Sequence, residues 1–426
     1  MNRINTLTKT YTISEYGGFT REGVLFNGYQ SLPKKTFDAL EAFILANFTE
    51  GAVDTSALLS LSVRRGIKFI TARNYVGLVT MKDGTVIEIL PKIYSDNIGE
   101  AETKRIFLEM LRTVKNIPFK IFNISNLKID RLNLFEIFIS MFVEEATMLV
   151  KQGLKSSYNS VENNERFFRG KLNVSQDIKY NYVNRERFFV RYDEWSVNCP
   201  ENRLLKATLY YLQSLTYYGQ NKHNIKRLLS VFDDVDSSKN HEADFAKCIT
   251  NRSMSHYEKA LSWCRVFLRG NSFTAFSGSE VAVALLFSME RIFESYITAK
   301  VRHYINSDIE MREQDTQHSL FDHPARAFNL RPDIVLVYGD KTVVIDTKWK
   351  LLSKEVRNYG ISQSDMYQMY TYAKKYYAEK VVLLYPKTND IWEHGISFNS
   401  NDGVKVEVSF IDLRQPDNSI LAVVSL

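Results

Sequence analysis

The spacing of apolar and polar positions changes character twice along the chain. From residue 1 to about Tyr94 it reads as short strands with some helix. Thr85-Val86-Ile87-Glu88-Ile89-Leu90 follows a Lys82-Asp83-Gly84 turn and is stopped by Pro91, as a strand would be. Residues 36–46 are more helical. From about Glu100 to Arg269 the helical period dominates. Leu134, Ile137, Phe138, Met141 and Phe142 fall at i, i+3, i+4, i+7 and i+8, one apolar stripe of a long helix. Another helix is expected from about Glu201, just after Pro200, to about Tyr218. A Gly/Ser-rich break, Gly270 to Ser279, precedes the last stretch. There the pattern predicts a helix from about Glu280 to Tyr304 and an irregular polar segment from Asn306 to Asn329. Two apolar runs follow, then a helix from about Ser362 to Tyr377, a strand Val381 to Tyr385 and a strand-like Val406 to Leu413. Strand–strand–helix–strand marks a mixed α/β unit.

The expected fold class is therefore an α+β or α/β multidomain protein. A mixed, β-rich N-terminal domain is expected over 1–99, a mainly helical middle domain over 100–270, and a mixed sheet flanked by helices over 271–426. The length of 426 residues agrees with two or three domains at roughly 150 residues each. With 45% apolar and 24% charged residues, the composition excludes disordered, collagen-like and low-complexity chains. Three cysteines, Cys199, Cys248 and Cys264, lack metal-ligand spacing and are too few for a disulfide framework. Met1 to Gly18 has no apolar signal core, and Val281 to Phe287, about the longest apolar run, falls far short of the ~18 residues of a membrane span. A cytoplasmic protein without membrane contact is expected.

The net charge of +6 permits a polyanionic partner without establishing one. Its distribution says more. Arg166 to Arg191 holds seven basic residues against Asp177 and Glu186, with Phe167, Phe168, Tyr180, Tyr182, Phe188 and Phe189 interleaved. Two readings stay open: a phosphate-binding surface with stacking platforms, or aromatics packed inward beside solvated charges.

The chemistry concentrates between Arg331 and Lys348. Two β-rich runs flank Gly339-Asp340, and glycine at the first central position suits a two-residue type II′ hairpin. Tyr338 then pairs with Lys341, and counting outward brings Asp333 opposite Asp346. Ile334, Val335, Leu336, Val343, Val344 and Ile345 between them are apolar, so both faces of the hairpin are expected to be buried. Two facing carboxylates in such a setting are costly unless a cation lies between them or one is protonated. Oxygen ligands favour a hard ion, Mg²⁺ or Mn²⁺. Strand period places Lys348 on the face of Asp346. Two acidic ligands beside an ammonium are the minimum kit for hydrolysing a phosphodiester.

Other residues join this set. Met366, Met369, Tyr370 and Ala373 form the apolar stripe of the helix near Ser362, with Gln368 and Tyr372 at i and i+4 along its edge. That pair either orients a phosphate or water, or merely packs on the sheet. On the preceding helix Glu294, beside Phe293, is a better third acidic ligand than Glu290. Lys350, Lys354 and Arg357 follow the hairpin and are candidates for a DNA backbone, or plain surface.

Pro332-Asp333 with Asp346-Thr347-Lys348 resembles the PD-(D/E)xK nuclease signature, and Gln368-x-x-x-Tyr372 resembles the QxxxY extension of its RecB-like branch. More specifically, the chain resembles the McrC family, nuclease subunits of McrBC modification-dependent restriction systems. The resemblance runs through Tyr75-Val76-Gly77, Ile89-Leu90-Pro91-Lys92-Ile93, Gly153-Leu154 with Tyr158, Arg169-Gly170-Lys171-Leu172, Tyr192-Asp193-Glu194, Asn202-Arg203-Leu204 and Phe293-Glu294, into Ile345-Asp346-Thr347-Lys348-Trp349-Lys350. It implies a Mg²⁺-dependent endonuclease acting on double-stranded DNA, with Asp333, Asp346, Glu294 and the Thr347 carbonyl as metal ligands. Lys348 is then the catalytic lysine, helped by Gln368 and Tyr372. It also implies an McrB-like AAA+ GTPase partner that the chain stimulates, with docking assigned to the region before about Glu100. No Walker-type GxxxxGK[ST] occurs in the chain, as a separate motor requires. Cutting both strands with one site per chain favours a dimer of nuclease domains. Two other readings compete: a non-catalytic activator of an AAA+ motor, and a RecB-like repair nuclease acting on DNA ends. The segment 306–329 reads as an insertion, and the first ~70 residues carry no matching motif.

Overall fold

The computed structural model describes residues 9–49, 59–93, 99–114, 131–183, 185–248, 255–268, 281–388 and 395–424. The Gly/Ser-rich break expected from Gly270 to Ser279 lies outside them. Among the described residues are eleven α-helices and five small sheets, a mixed α/β architecture. The chain divides into two compact units, one of residues 1–134 with 272–426 and one of 135–271. This grouping differs from the three consecutive segments expected from the sequence, and strand pairing is the reason. Val281–Ser288 lies antiparallel to Tyr75–Met81, which pairs with Val86–Leu90, itself parallel to Thr10–Ser14. Hydrogen bonds in one sheet thus tie the N-terminal segment to the C-terminal one. Gly77 lets Tyr75–Met81 and the edge strand Val281–Ser288 approach: its φ is +133°, and a Cβ there would lie 2.0 Å from the Leu285 carbonyl oxygen.

The strand Val281–Ser288 corrects the helix expected from about Glu280; the helix begins only at Met289 and runs to Tyr304. Val-Ala-Val-Ala-Leu-Leu-Phe has no period of its own, and its partner strand decides the outcome. A second sheet, ordered Tyr29–Leu32, Gly18–Arg21, Ile67–Ala72, Leu59–Arg64, completes the N-terminal part beside the helix Lys34–Thr49.

The C-terminal part is built on a six-stranded mixed sheet. Its order is Glu310–Glu313, Ile334–Tyr338, Lys341–Thr347, Lys380–Pro386, Lys405–Ile411, Ile396–Asn399. The three middle strands from Lys341 onward run parallel, and the others are antiparallel additions. The segment expected to be irregular, Asn306 to Asn329, is corrected as well. It supplies the edge strand Glu310–Glu313 and a small hairpin, Ser319–Phe321 with Ala327–Asn329. Strands of three and four residues are too short to display alternation. The helix Gln363–Lys375 covers one face of the sheet, packing Met369, Tyr372, Ala373 and Tyr376 against Val335, Val344, Val381, Leu383, Val406 and Val408. Tyr370, expected in that stripe, is exposed and donates its hydroxyl to Asp402 instead.

The other unit packs helices Leu134–Gln152, Pro200–Leu215, Gly219–Val231 and Ser255–Leu268 beside an antiparallel sheet of Ser157–Glu165, Phe188–Ser196 and Lys171–Leu172. The helix expected from Glu201 to Tyr218 has Pro200 as its first residue and ends at Leu215. Buried Glu136 accepts from the Thr216 hydroxyl, the Tyr217 and Tyr218 amides and the Asn221 side chain, so the turn after that helix is closed on a carboxylate. Asn202 donates to the Lys155 and Val197 carbonyls and accepts from the Tyr257 hydroxyl, while Arg203 is paired with Asp244 at 2.7 Å. In this sequence block the polar residues serve the architecture. Among the described residues no helix is long and apolar enough to cross a membrane.

Candidate active site

The hairpin register agrees with the sequence reading from Tyr338↔Lys341 through Ile334↔Ile345. Gly339 has φ +65°, and Asp340 is not among the residues of positive φ, as a type II′ turn requires. The six apolar residues named between the turn and the acids are buried, and Val337, nearer the turn, is half-buried. The ladder ends at Ile334, so Asp333 stands one step beyond it. Alternation then puts Asp333 on the face of Val335, and Asp346 and Lys348 on the face of Val344. That is the face covered by the helix carrying Gln368 and Tyr372. This helix starts where expected: the Ser362 hydroxyl accepts from the Asp365 amide at 3.0 Å.

Asp346 is only 2% exposed, and its Oδ2 lies 2.6 Å from Lys348 Nζ in an ion pair, with no hydrogen bond of regular geometry to that oxygen. Burial raises the Asp346 pKa, the nearby Asp333 charge raises it further, and Lys348 opposes both. Burial depresses the Lys348 pKa, but Asp346 and Asp333 outweigh it, and the net shift is upward. The Lys348 side chain stays 30% exposed, so the ammonium is the part of the ion pair that solvent, or a phosphate, can reach. Lys348 Nζ donates to Gln368 Oε1 at 3.4 Å, and Gln368 Nε2 donates to the Tyr372 hydroxyl at 2.7 Å. Burial, then Asp346, pushes the Tyr372 phenol up to about 12, so it remains protonated at neutral pH.

Asp333 is held differently. Its Oδ2 accepts from the Thr347 amide at 2.8 Å and the Thr347 hydroxyl at 2.7 Å. Its Oδ1 accepts from Gln314 Nε2 at 3.0 Å, and the same nitrogen donates to Glu294 Oε1. Burial, then Asp333, raises Glu294 to about 6. All six candidates and Thr347 therefore meet at one end of one sheet. Glu290, the weaker alternative, is exposed and accepts from Asn74. Lys350 donates to the Gly360 carbonyl, while Lys354 and Arg357 are exposed.

Two contributors were not legible in the sequence. Gln314 sits in the polar stretch that shows no period, at the end of the edge strand. Glu15, from the N-terminal segment, accepts from Trp349 Nε1 at 2.9 Å and from the Lys92 amide at 3.0 Å. Only long-range pairing brings either to the hairpin.

Among the described residues no three His, Cys, Asp or Glu side chains are gathered closely enough to enclose an ion by themselves. The acids come in linked pairs, Asp333 with Glu294 through Gln314, and Asp346 with Lys348. The donor set nonetheless fits a hard divalent cation. The donors are oxygens, and two of the three acids have pKa values raised by burial and mutual repulsion, which a cation would relieve.

In the other unit the aromatic residues of the basic segment face solvent: Phe167 is 82% exposed and Tyr182 73%, with Phe168 and Tyr180 also exposed. That removes the inward-packed alternative for these four, although Phe189 stacks on Tyr180. Arg169 is paired with Glu165 and lies over the Tyr192 ring at 3.5 Å.

Fold and motif together define a mixed α/β protein with a Pro-Asp and Asp-x-Lys pair at the open end of a sheet hairpin. The chain belongs to the McrBC family: the model described as McrBC 5-methylcytosine restriction system component matches residues 70–386. Its structure is McrC-like. It is similar over 98% of its length, at 19% identity and a TM-score of 0.70, to a whole chain in a half-complex from a tetradecameric assembly of Thermococcus gammatolerans McrB AAA+ hexamers with bound McrC. It is also similar, over 72% of its length and 90% of the other chain, at 22% identity and a TM-score of 0.51, to a chain of the Thermococcus gammatolerans McrBC complex. These likenesses carry the fold. No curated protein matches the chain.

Proposed function

We propose that the chain is the metal-dependent endonuclease subunit of a modification-dependent restriction system, hydrolysing phosphodiester bonds of double-stranded DNA. The observation that supports this best is the buried Asp346 beside Lys348 and facing the Asp333 end of the hairpin. A protein with no use for the site has no reason to bury repelling carboxylates. Asp333, Asp346, Glu294 and the Thr347 carbonyl would hold Mg²⁺, with Mn²⁺ as a substitute. The bound ion supplies polarisation of the phosphate and a lowered pKa for water. Lys348 meets the negative charge that grows on the phosphate, and Gln368, fixed by Tyr372, keeps that ammonium aimed.

Family membership supports an McrB-like AAA+ GTPase as partner. The McrC-type resemblance assigns docking to the region before about Glu100. A specific observation favours the loop and short helix of residues 166–183 in the other unit instead. The N-terminal strands are paired into the nuclease-bearing unit, whereas Phe167, Phe168, Tyr180 and Tyr182 of the basic segment stand in solvent. Exposed aromatics with arginine are the composition of a protein interface. Cutting both strands calls for two copies of the nuclease site.

The test is cleavage of methylated closed-circular DNA with Mg²⁺, with and without the partner and GTP, beside Asp346→Ala. Cleavage needing partner, GTP and Asp346 is the expected result. Cutting of linear DNA alone, without a partner, would favour the repair-nuclease reading. Faster GTP hydrolysis by the partner with no cutting would leave an adaptor.

A further inference from the structure

Gln314 belongs to no motif, yet it touches two of the three acids. Its side-chain nitrogen donates to both Glu294 and Asp333, and its backbone N–H donates to the Asp333 carbonyl at 2.9 Å. It does so from a left-handed backbone, φ +48°, which residues with a Cβ seldom adopt. The residue is half-buried, as are Glu294 and Asp333, so the oxygens it occupies lie near solvent. Asp333 Oδ2 is already taken by Thr347, which leaves Oδ1, the oxygen bound by Gln314, as the one facing Glu294. An amide N–H between two carboxylates does what a cation does there, with less charge: it offsets their repulsion.

We propose that Gln314 is a positioning residue of the acidic centre, its amide nitrogen holding Glu294 and Asp333 as a pair in the metal-free protein and yielding those oxygens to a divalent cation. This rests on the nuclease reading, which requires the cation. Two consequences follow from the double contact. The metal-free protein is stabilised by Gln314, because without it the two acids face each other with no donor between them. Metal affinity is lowered by Gln314, because each ion must displace its hydrogen bonds.

The experiment titrates the full chain with Mn²⁺ at pH 8 by calorimetry, without DNA, and records melting in EDTA. Wild type is compared with Gln314→Ala, Gln314→Gly and Asp333→Asn. Gln314→Gly keeps the left-handed backbone free of strain and so covers the case in which the alanine variant does not fold. Expected are Mn²⁺ binding about tenfold tighter in the Gln314 variants, the size of one charge-assisted hydrogen bond, and a lower melting temperature in EDTA for Gln314→Ala. Asp333→Asn should bind weakly. Unchanged or weaker Mn²⁺ binding in both Gln314 variants overturns the proposal while leaving the nuclease reading in place. Absence of Mn²⁺ binding in wild type overturns both.

Discussion

At Asp346 burial and the Asp333 charge push the carboxyl toward protonation, and the Lys348 ammonium opposes them. The cost of that arrangement falls on stability and its benefit on chemistry. Asp346→Asn preserves shape and removes the charge. DNA cleavage should fall by about 10²-fold or more, while melting in EDTA at pH 8 stays level or rises because Asp333 loses a repelling neighbour. A drop of both would make Asp346 structural. Tyr372 acts one residue further out. Tyr372→Phe keeps the ring in the core but takes away the oxygen that accepts from Gln368. Cleavage should fall roughly tenfold in kcat with KM little changed, and adding Gln368→Ala should cost little more, because both changes break the same link to Lys348. Additive losses in that double variant would separate the two residues.

Among the secondary-structure elements, the best test is the joint between the N-terminal strands and the hairpin. Glu15 follows directly on Thr10–Ser14, is 2% exposed, and accepts from Trp349 Nε1, just after Lys348. Burial raises its pKa from 4.5 to about 7, against the opposing hydrogen bonds from Lys92 and Trp349. The folded protein therefore holds this proton more tightly than the unfolded chain. Between pH 4.5 and 7 the folded state has more protons bound, so its stability falls as pH rises and levels off above about 7. The full effect is on the order of 3 kcal/mol. Glu15→Gln should make the fall of the melting temperature across that window shallower, leaving the part due to the raised Glu294 and Asp346, and an unchanged slope would assign the titration elsewhere. The hairpin itself was legible because a Gly-Asp turn, β-branched runs and two acids count outward from one fixed point. Val281–Ser288 was not, because an unbroken apolar run fits a buried strand or a buried helix equally, and only Tyr75–Met81 decides. Gln314 and Glu15 were illegible for a related reason: neither has a local pattern, and each acquires its role from a residue 19 or 334 positions away.

Across the whole molecule, every candidate nuclease residue falls in the unit of 1–134 and 272–426, and the exposed aromatics of the basic segment fall in the unit of 135–271. The proposed chemistry and the proposed docking face can then be damaged separately. Phe167 and Tyr182 bury almost nothing, so replacing both with serine removes apolar surface without opening a core, and folding should change by less than about 0.5 kcal/mol. If these aromatics dock the AAA+ protein, the Phe167→Ser/Tyr182→Ser variant should keep wild-type Mn²⁺ binding and lose partner-dependent cleavage and stimulation of GTP hydrolysis together. If they instead stack on nucleic acid, DNA binding by the chain alone should weaken while GTPase stimulation is preserved. The pairing of Arg169 with Glu165 and Tyr192 argues for the first outcome, since an arginine spent on its own unit has less charge to give a phosphate. Measuring GTPase stimulation beside DNA affinity on this one variant decides between a protein and a nucleic-acid face.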